Sequence, residues 1–384
     1  MNNEIIYLDH AAATPMDVRV ITAMQPYFSD DFYNPSSPYA PAVKVRRDYE
    51  AAKHLLASSI GAKPGEIIIT AGATESINLA FNGIDGHVIV ANIEHHAVLN
   101  CAKLYDHTIV SADNRGFVSA DVIKAAIKSD TKLISVALAN NELGTIQPLR
   151  DIAQVVRQER ESRLMRGDRT PIYLHSDASQ GVGQLDVNIA RLGVDMLTLN
   201  SGKMYGPKQM GLLWAVSHVR LNPLIVGGGQ ERGLRSGTEN VAGTIGFARA
   251  LELATTHRKF ESERLAKLRD NLQTVLTDAF PSAIVSGHPK HRLAGHLHIS
   301  FPDLDGERLI FILENRGVLV STGSACAANK GTRSHVLMAI GLSNEIADGS
   351  IRITLGHLST PENTKMAGEI IIEELKREYE RVSK

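Results

Sequence analysis

The chain has 384 residues, with 41 basic and 42 acidic side chains for a formal net charge of -1. Hydrophobic residues make up 43% and charged residues 22%, which excludes a disordered chain. The charge balance excludes general attraction to nucleic acid or anionic lipid, and two cysteines, Cys101 and Cys326, exclude a disulfide framework or a four-cysteine zinc site. At roughly 150 residues per domain the length points to two domains or so. No apolar run is long enough for a transmembrane helix, and Met1-Asn2-Asn3-Glu4 lacks the basic start of a signal peptide. A cytoplasmic protein with no membrane partner is expected.

In chain order, Val45, Tyr49, Ala52 and Leu56 share one face of a helix. Glu66 to Thr70 predicts a buried strand, and Thr74 to Phe81 the helix after it, with Thr74 as its cap. His87 to Val90 is a second strand, followed by a helix from about Ala97 to Tyr105. Lys132 to Ala137, Ile172 to His175, Met196 to Leu199 and Gly211 to Val216 continue the series. Apolar strands alternating with helices predict a mostly parallel sheet covered on both faces, an α/β architecture. Past Lys259 the strands thin out. Leu265, Leu268, Leu272 and Val275 mark a helix there, and Ile371, Leu375, Tyr379 and Val382 another near the C-terminus. The boundary of a smaller C-terminal domain is therefore placed near Lys259.

Ser201-Gly202-Lys203 follows a strand end, where an open α/β sheet binds ligands. The segment is not a phosphate-binding Walker loop, because Leu197 stands where that motif needs glycine. A solvated loop lysine is the ordinary reading of Lys203. The alternative is a lysine that holds pyridoxal phosphate. That cofactor needs a carboxylate on its ring nitrogen, and Asp177 ends the Ile172 strand 26 residues earlier. Its phosphate needs N–H groups at a helix start, and Ala71-Gly72-Ala73-Thr74 supplies them. Its ring needs a flat partner, for which His95 and His96 are placed after the Val88 strand. His296 and His298 share a strand face, a pairing common without any metal.

The motifs that follow one another along the chain resemble those of the cysteine desulfurases, of the class V aminotransferase group. They are Tyr7-Leu8-Asp9-His10-Ala11-Ala12-Ala13-Thr14-Pro15, Asn34-Pro35-Ser36-Ser37, Gly72-Ala73-Thr74-Glu75-Ser76, Glu94-His95, Asn140-Asn141-Glu142 and Asp177-Ala178-Ser179-Gln180. Gly228-Gly229-Gln230-Glu231-Arg232-Gly233, Arg235-Ser236-Gly237-Thr238, Gly323-Ser324-Ala325-Cys326 and Ser350-Ile351-Arg352 complete the order. The resemblance implies pyridoxal-phosphate fold type I: a large domain, 16–259, around a mostly parallel seven-stranded sheet, and a smaller α/β domain of 1–15 and 260–384 that carries the cysteine loop.

By the same resemblance Lys203 holds the cofactor and moves protons, Asp177 pairs with the ring nitrogen, Gln180 reaches the ring oxygen and His95 stacks on the ring. Ala73, Thr74, Asn200 and Ser201 are implied at the phosphate, joined by Thr238 from a second subunit of a homodimer. Asn34, Asn141 and Arg352 are implied to grip the substrate, arginine because its fork matches a carboxylate. Cys326 is implied to take sulfur from L-cysteine as a persulfide, leaving L-alanine, and to pass it to a protein acceptor or iron–sulfur scaffold. No resident metal is implied, although Cys326 could ligate a transferred iron–sulfur cluster. The long loop after it resembles the subgroup serving iron–sulfur assembly and tRNA thiolation. With near-zero charge no direct nucleic-acid contact is expected. Asn200 and Gly202 depart from the serine and histidine that usually precede the lysine. Asn200 keeps a hydrogen-bond donor. An aminotransferase or selenocysteine lyase of the same fold is the alternative enzyme. A sulfur-relay or scaffold protein without cofactor chemistry is the alternative outside that class. Cys101, on an apolar helix face, is expected to be packing.

Overall fold

The computed structural model describes residues 5–323 and 333–383. Its strands are β1 (Ile6–Tyr7), β2 (Ile67–Thr70), β3 (His87–Ala91), β4 (His107–Val110), β5 (Thr131–Ser135), β6 (Tyr173–Asp177), β7 (Met196–Asn200), β8 (Gly211–Ala215), β9 (Ile284–Ser286), β10 (His296–Ser300), β11 (Val318–Leu319) and β12 (Ser350–Thr354). The main sheet has seven strands in the order β2-β8-β7-β6-β5-β3-β4. β4, β3, β5, β6 and β7 pair in parallel. β8 runs antiparallel to both β7 and β2, so it alone opposes the sheet direction.

Strand alternation explains why these segments are so apolar. Ile67, Ile69, Ile89, Ile134, Leu174 and Leu197 turn to one face and join one core. Ile68, Val88, Val90, Leu133 and Met196 turn to the other face and join a second. Burying each such side chain contributes about 1.5–3 kcal/mol, so a sheet with two covered faces keeps apolar residues at every position. Val45, Tyr49, Ala52 and Leu56 all pack into the first core from the Ala40–Ile60 helix.

A third core lies around β12-β10-β9 and the parallel pair β1-β11. A single helix, Val241–Ala279, links it to the first. Val241 to Leu251 pack in the first core and Leu265 to Leu276 in the third, so residue 259 falls inside one continuous helix. Ile6 and Leu8 also belong to the third core, which returns the N-terminal segment to the C-terminal strands. No helix of the described residues is long and apolar enough to cross a membrane.

Candidate active site

All main-sheet strands but β8 end on the same side, and the turns after β2, β3, β5, β6 and β7 line one cavity of about 320 Å³. Ala73 and Thr74 enter it after β2, His95 after β3, Asp177 and Gln180 after β6, and Asn200 and Lys203 after β7. Ligands of open α/β sheets bind at such strand ends. Asn141 and Arg352 reach the cavity from the loop after β5 and from β12. Nine sequence-predicted site residues thus face one space, although Ala73 and Gln180 lie more than a hundred residues apart.

Lys203 donates from Nζ to the carbonyls of Ala11 and Ala12, at 2.8 and 2.7 Å. Gln180 Nε2 donates to the same Ala11 carbonyl at 3.1 Å. Asp177 Oδ1 accepts from the Ser179 N–H at 2.9 Å, which fixes the carboxylate on its turn. His95 is the N-cap of the helix His96–Ala102, and its Nδ1 accepts from the Ala97 N–H at 3.1 Å. Burial pushes its pKa below the usual histidine range, against the pull of Asp177. The ring is therefore neutral near pH 7, and with Nδ1 as acceptor its proton sits on Nε2.

The helix Ala73–Phe81 starts at Gly72, whose φ of 146° suits glycine, and no side chain caps it. Thr74 is therefore the second helical residue and not the cap, which corrects the sequence expectation. The uncapped start leaves backbone N–H groups free to meet an anion. The amine, the carboxylate, the neutral imidazole and this helix start form a donor set that fits pyridoxal phosphate. Asp177 would hold its ring nitrogen, His95 its ring face, and Ala73, Thr74 and Asn200 its phosphate.

Arg352 is only 3% exposed. Nη2 donates to Asp9 Oδ1 at 2.6 Å, Nη1 to the carbonyls of Asn141 and Gly323, and Nε has no partner among the described residues. Other predicted residues lie elsewhere. Asn34 is exposed, with Oδ1 accepting from the Ser36 N–H at 2.9 Å, and does not line the cavity. Ser201 is fully buried, its hydroxyl without a partner among the described residues, also outside the cavity lining. Thr238 is exposed, outside the cavity lining. Cys326 lies outside the described residues. Cys101 is buried in the second core, where burial raises its pKa, so it is a packing thiol.

Two features escape a reading by residue type. The carbonyls of Ala11 and Ala12 grip the lysine, and backbone contacts leave no mark on side-chain identity. Glu94 is 2% exposed, and burial pushes its pKa up to about 8. Its only sequence signal is its place before His95. It is a neutral neighbour of Asp177 at pH 7, so it adds no second full charge behind the cavity.

The model of the class V aminotransferases matches residues 6–366. The chain belongs to this family. Its members depend on pyridoxal phosphate. The cysteine desulfurase IscS of Methanosarcina thermophila is 38% identical over 97% of this chain and 92% of that protein. A solved NifS-like protein is 33% identical, covers 97% of this chain and 99% of its own, and superposes with a TM-score of 0.88. SspA, solved in complex with cysteine, is 35% identical, covers 91% and 98%, and gives a TM-score of 0.77. The family's pyridoxal-phosphate type I fold agrees with the mostly parallel seven-stranded sheet described above.

Proposed function

We propose that this chain is a pyridoxal-phosphate-dependent cysteine desulfurase that moves sulfur from L-cysteine to Cys326 and releases L-alanine. The carrying observation is the cavity that unites Lys203, Asp177, His95, Thr74 and Arg352 in a chain similar over its length to cysteine desulfurases. The bound cofactor supplies a covalent hold on the substrate amine and a sink for the electrons released at Cα. Arg352, lining the cavity with Asn141 beside it, holds the substrate carboxylate through its guanidinium fork. Asp177 keeps a proton on the ring nitrogen. Lys203 removes the proton from Cα and later delivers one to Cβ. His95 would hold the ring face of the bound cofactor, with its Nε2–H as a donor in the cavity.

Cys326 attacks as thiolate on the substrate sulfur. An S–S bond forms as the C–S bond breaks, Cβ takes that electron pair and a proton, and the return of a proton to Cα, with the electrons released there earlier, completes alanine. No external oxidant or reductant is required. The persulfide then passes to a protein acceptor serving iron–sulfur assembly or tRNA thiolation. We place the enzyme in the cytoplasm.

The proposed chain is a homodimer of two-domain subunits, divided as 16–259 and 1–15 with 260–384. The third core, built from Ile6, Leu8 and residues past 260, supports that division, while Val336, Leu337, Ile340 and Ala347 pack into the first. The exposed apolar side chains of Val18, Phe28, Phe32 and Val226 support a covering partner subunit, and exposed Thr238 is free to reach its phosphate site. The test is an alanine and sulfide assay with L-cysteine. Wild type should form both in the presence of a reductant, and Lys203→Ala neither. Full activity in Lys203→Ala would overturn the proposal.

A further inference from the structure

The turn that carries Lys203 is held in a strained shape. Two residues on, Tyr205 has φ of 62°, in the left-handed region that bulky side chains avoid. Such a conformation persists only where its surroundings over-determine it, and it clusters at functional sites. Here four contacts do so. The Tyr205 N–H donates to Thr14 Oγ1 at 2.9 Å, and its carbonyl accepts from the Asp17 N–H at 2.9 Å. Its hydroxyl accepts from the His357 N–H at 2.7 Å. Its ring lies flat on the His357 imidazole, with centroids 3.6 Å apart and planes 3° from parallel.

None of these partners comes from the main sheet. Thr14 and Asp17 belong to the N-terminal segment, and His357 follows β12 of the third core. The N-terminal segment brackets the lysine on both sides. Thr14 Oγ1 receives the Tyr205 N–H and donates to the Gly202 carbonyl at 3.1 Å. The same segment supplies the Ala11 and Ala12 carbonyls that meet Nζ. Burial raises the Tyr205 pKa, so the hydroxyl stays protonated, and the ring carries no charge.

We propose that Tyr205 and His357 are positioning residues: their stack clamps the strained turn so that the N-terminal segment and the end of β12 together set where the Lys203 amine sits. Neither side chain lines the 320 Å³ cavity, so the pair acts through Lys203. The proposal rests on Lys203 being the residue that holds the cofactor.

The test uses the holoenzyme and the variants Tyr205→Leu, His357→Leu and His357→Phe. Three quantities are read: the peptide labelled by borohydride trapping of the bound cofactor, the pH midpoint of the cofactor's visible absorbance, and kcat and KM for L-cysteine. The label should fall on Lys203 in every variant. Both leucine variants should lower kcat about tenfold with KM within about twofold, because misplacing a reacting group acts on the chemical step. They should also move the absorbance midpoint by about half a pH unit or more. His357→Phe, which restores a flat aromatic face, should recover most of both. If Tyr205→Leu fails to fold, half-exposed His357 removes the stack from its other side and decides the matter alone. Wild-type kcat and midpoint in a leucine variant labelled at Lys203 would overturn the clamp. A label on another lysine would instead overturn the assignment of Lys203.

Discussion

Glu94 tests the electrostatics behind the cavity. Its Oε1 accepts from the Ala137 N–H at 2.9 Å, while buried Oε2 has no partner among the described residues. Burial pushes its pKa from 4.5 up to about 8; the Ala137 N–H opposes that rise and Asp177 adds to it. The unfolded chain therefore loses this proton first as pH rises. Between the two pKa values the folded protein holds one proton more, so its stability falls with rising pH across that window and levels off above the folded value. A gap of about 3.5 units at roughly 1.4 kcal/mol per unit gives a total of about 5 kcal/mol. Glu94→Gln keeps the acceptor for Ala137 and does not titrate. Urea unfolding of both proteins from about pH 5 to about pH 9 measures the difference. Wild type should lose several kcal/mol relative to Glu94→Gln as pH rises to 8. A difference that stays within about 1 kcal/mol would show Glu94 ionised in the fold and refute the reasoning.

Three further outcomes follow from the geometry. A Cβ on Gly202 would meet Asn200 Oδ1 at 3.4 Å and Lys208 Cγ at 3.6 Å, ordinary contacts, so Gly202→His should still bind the cofactor with stability within about 1 kcal/mol. Loss of its visible absorbance would show that the family's histidine cannot be restored here. The Glu231 carboxylate accepts from Tyr49 Oη, from Lys53 Nζ at 2.9 Å and from the Ile69 N–H at 2.7 Å, so Glu231→Ala should cost about 3–5 kcal/mol in urea unfolding. Adding Lys53→Met should recover much of it, and no recovery would exclude an unpaired buried ammonium as the cause. Arg352→Lys, which lacks the guanidinium fork, should raise KM for L-cysteine about tenfold, and an unchanged KM would remove Arg352 from substrate binding.

Much of the site was legible because its residues follow strands that are legible themselves. β2, β3, β5, β6, β7 and β8 are four- or five-residue runs buried almost throughout, and each overlaps a short apolar stretch of the sequence. β4 leaves no such mark: His107 to Val110 is a partly exposed edge strand with only Val110 buried. The reversed direction of β8 has no local signature, since direction is set by which neighbour the chain reaches. The Val241–Ala279 helix was seen only in its second half, where leucines repeat on one face. In its first half the buried face mixes Val241, Phe247 and Leu251 with Ala242, Gly243, Gly246 and Ala250, and the small residues weaken the periodic pattern. Ser201 was placed at the phosphate by its position beside Lys203. The short helical turn Ser201–Lys203, capped by Asn200 Oδ1 on the Gly202 N–H at 3.0 Å, buries Ser201 and leaves Asn200 in the cavity lining. The Tyr205–His357 stack joins residues 152 positions apart and was invisible to any local pattern.

The most direct measurement is the mass of the Cys326 peptide after one turnover with L-cysteine and no reductant. One added sulfur on that peptide, in step with the alanine formed and absent from Cys326→Ala, is the predicted result. Alanine formed at wild-type yield with no sulfur on Cys326 would contradict the account.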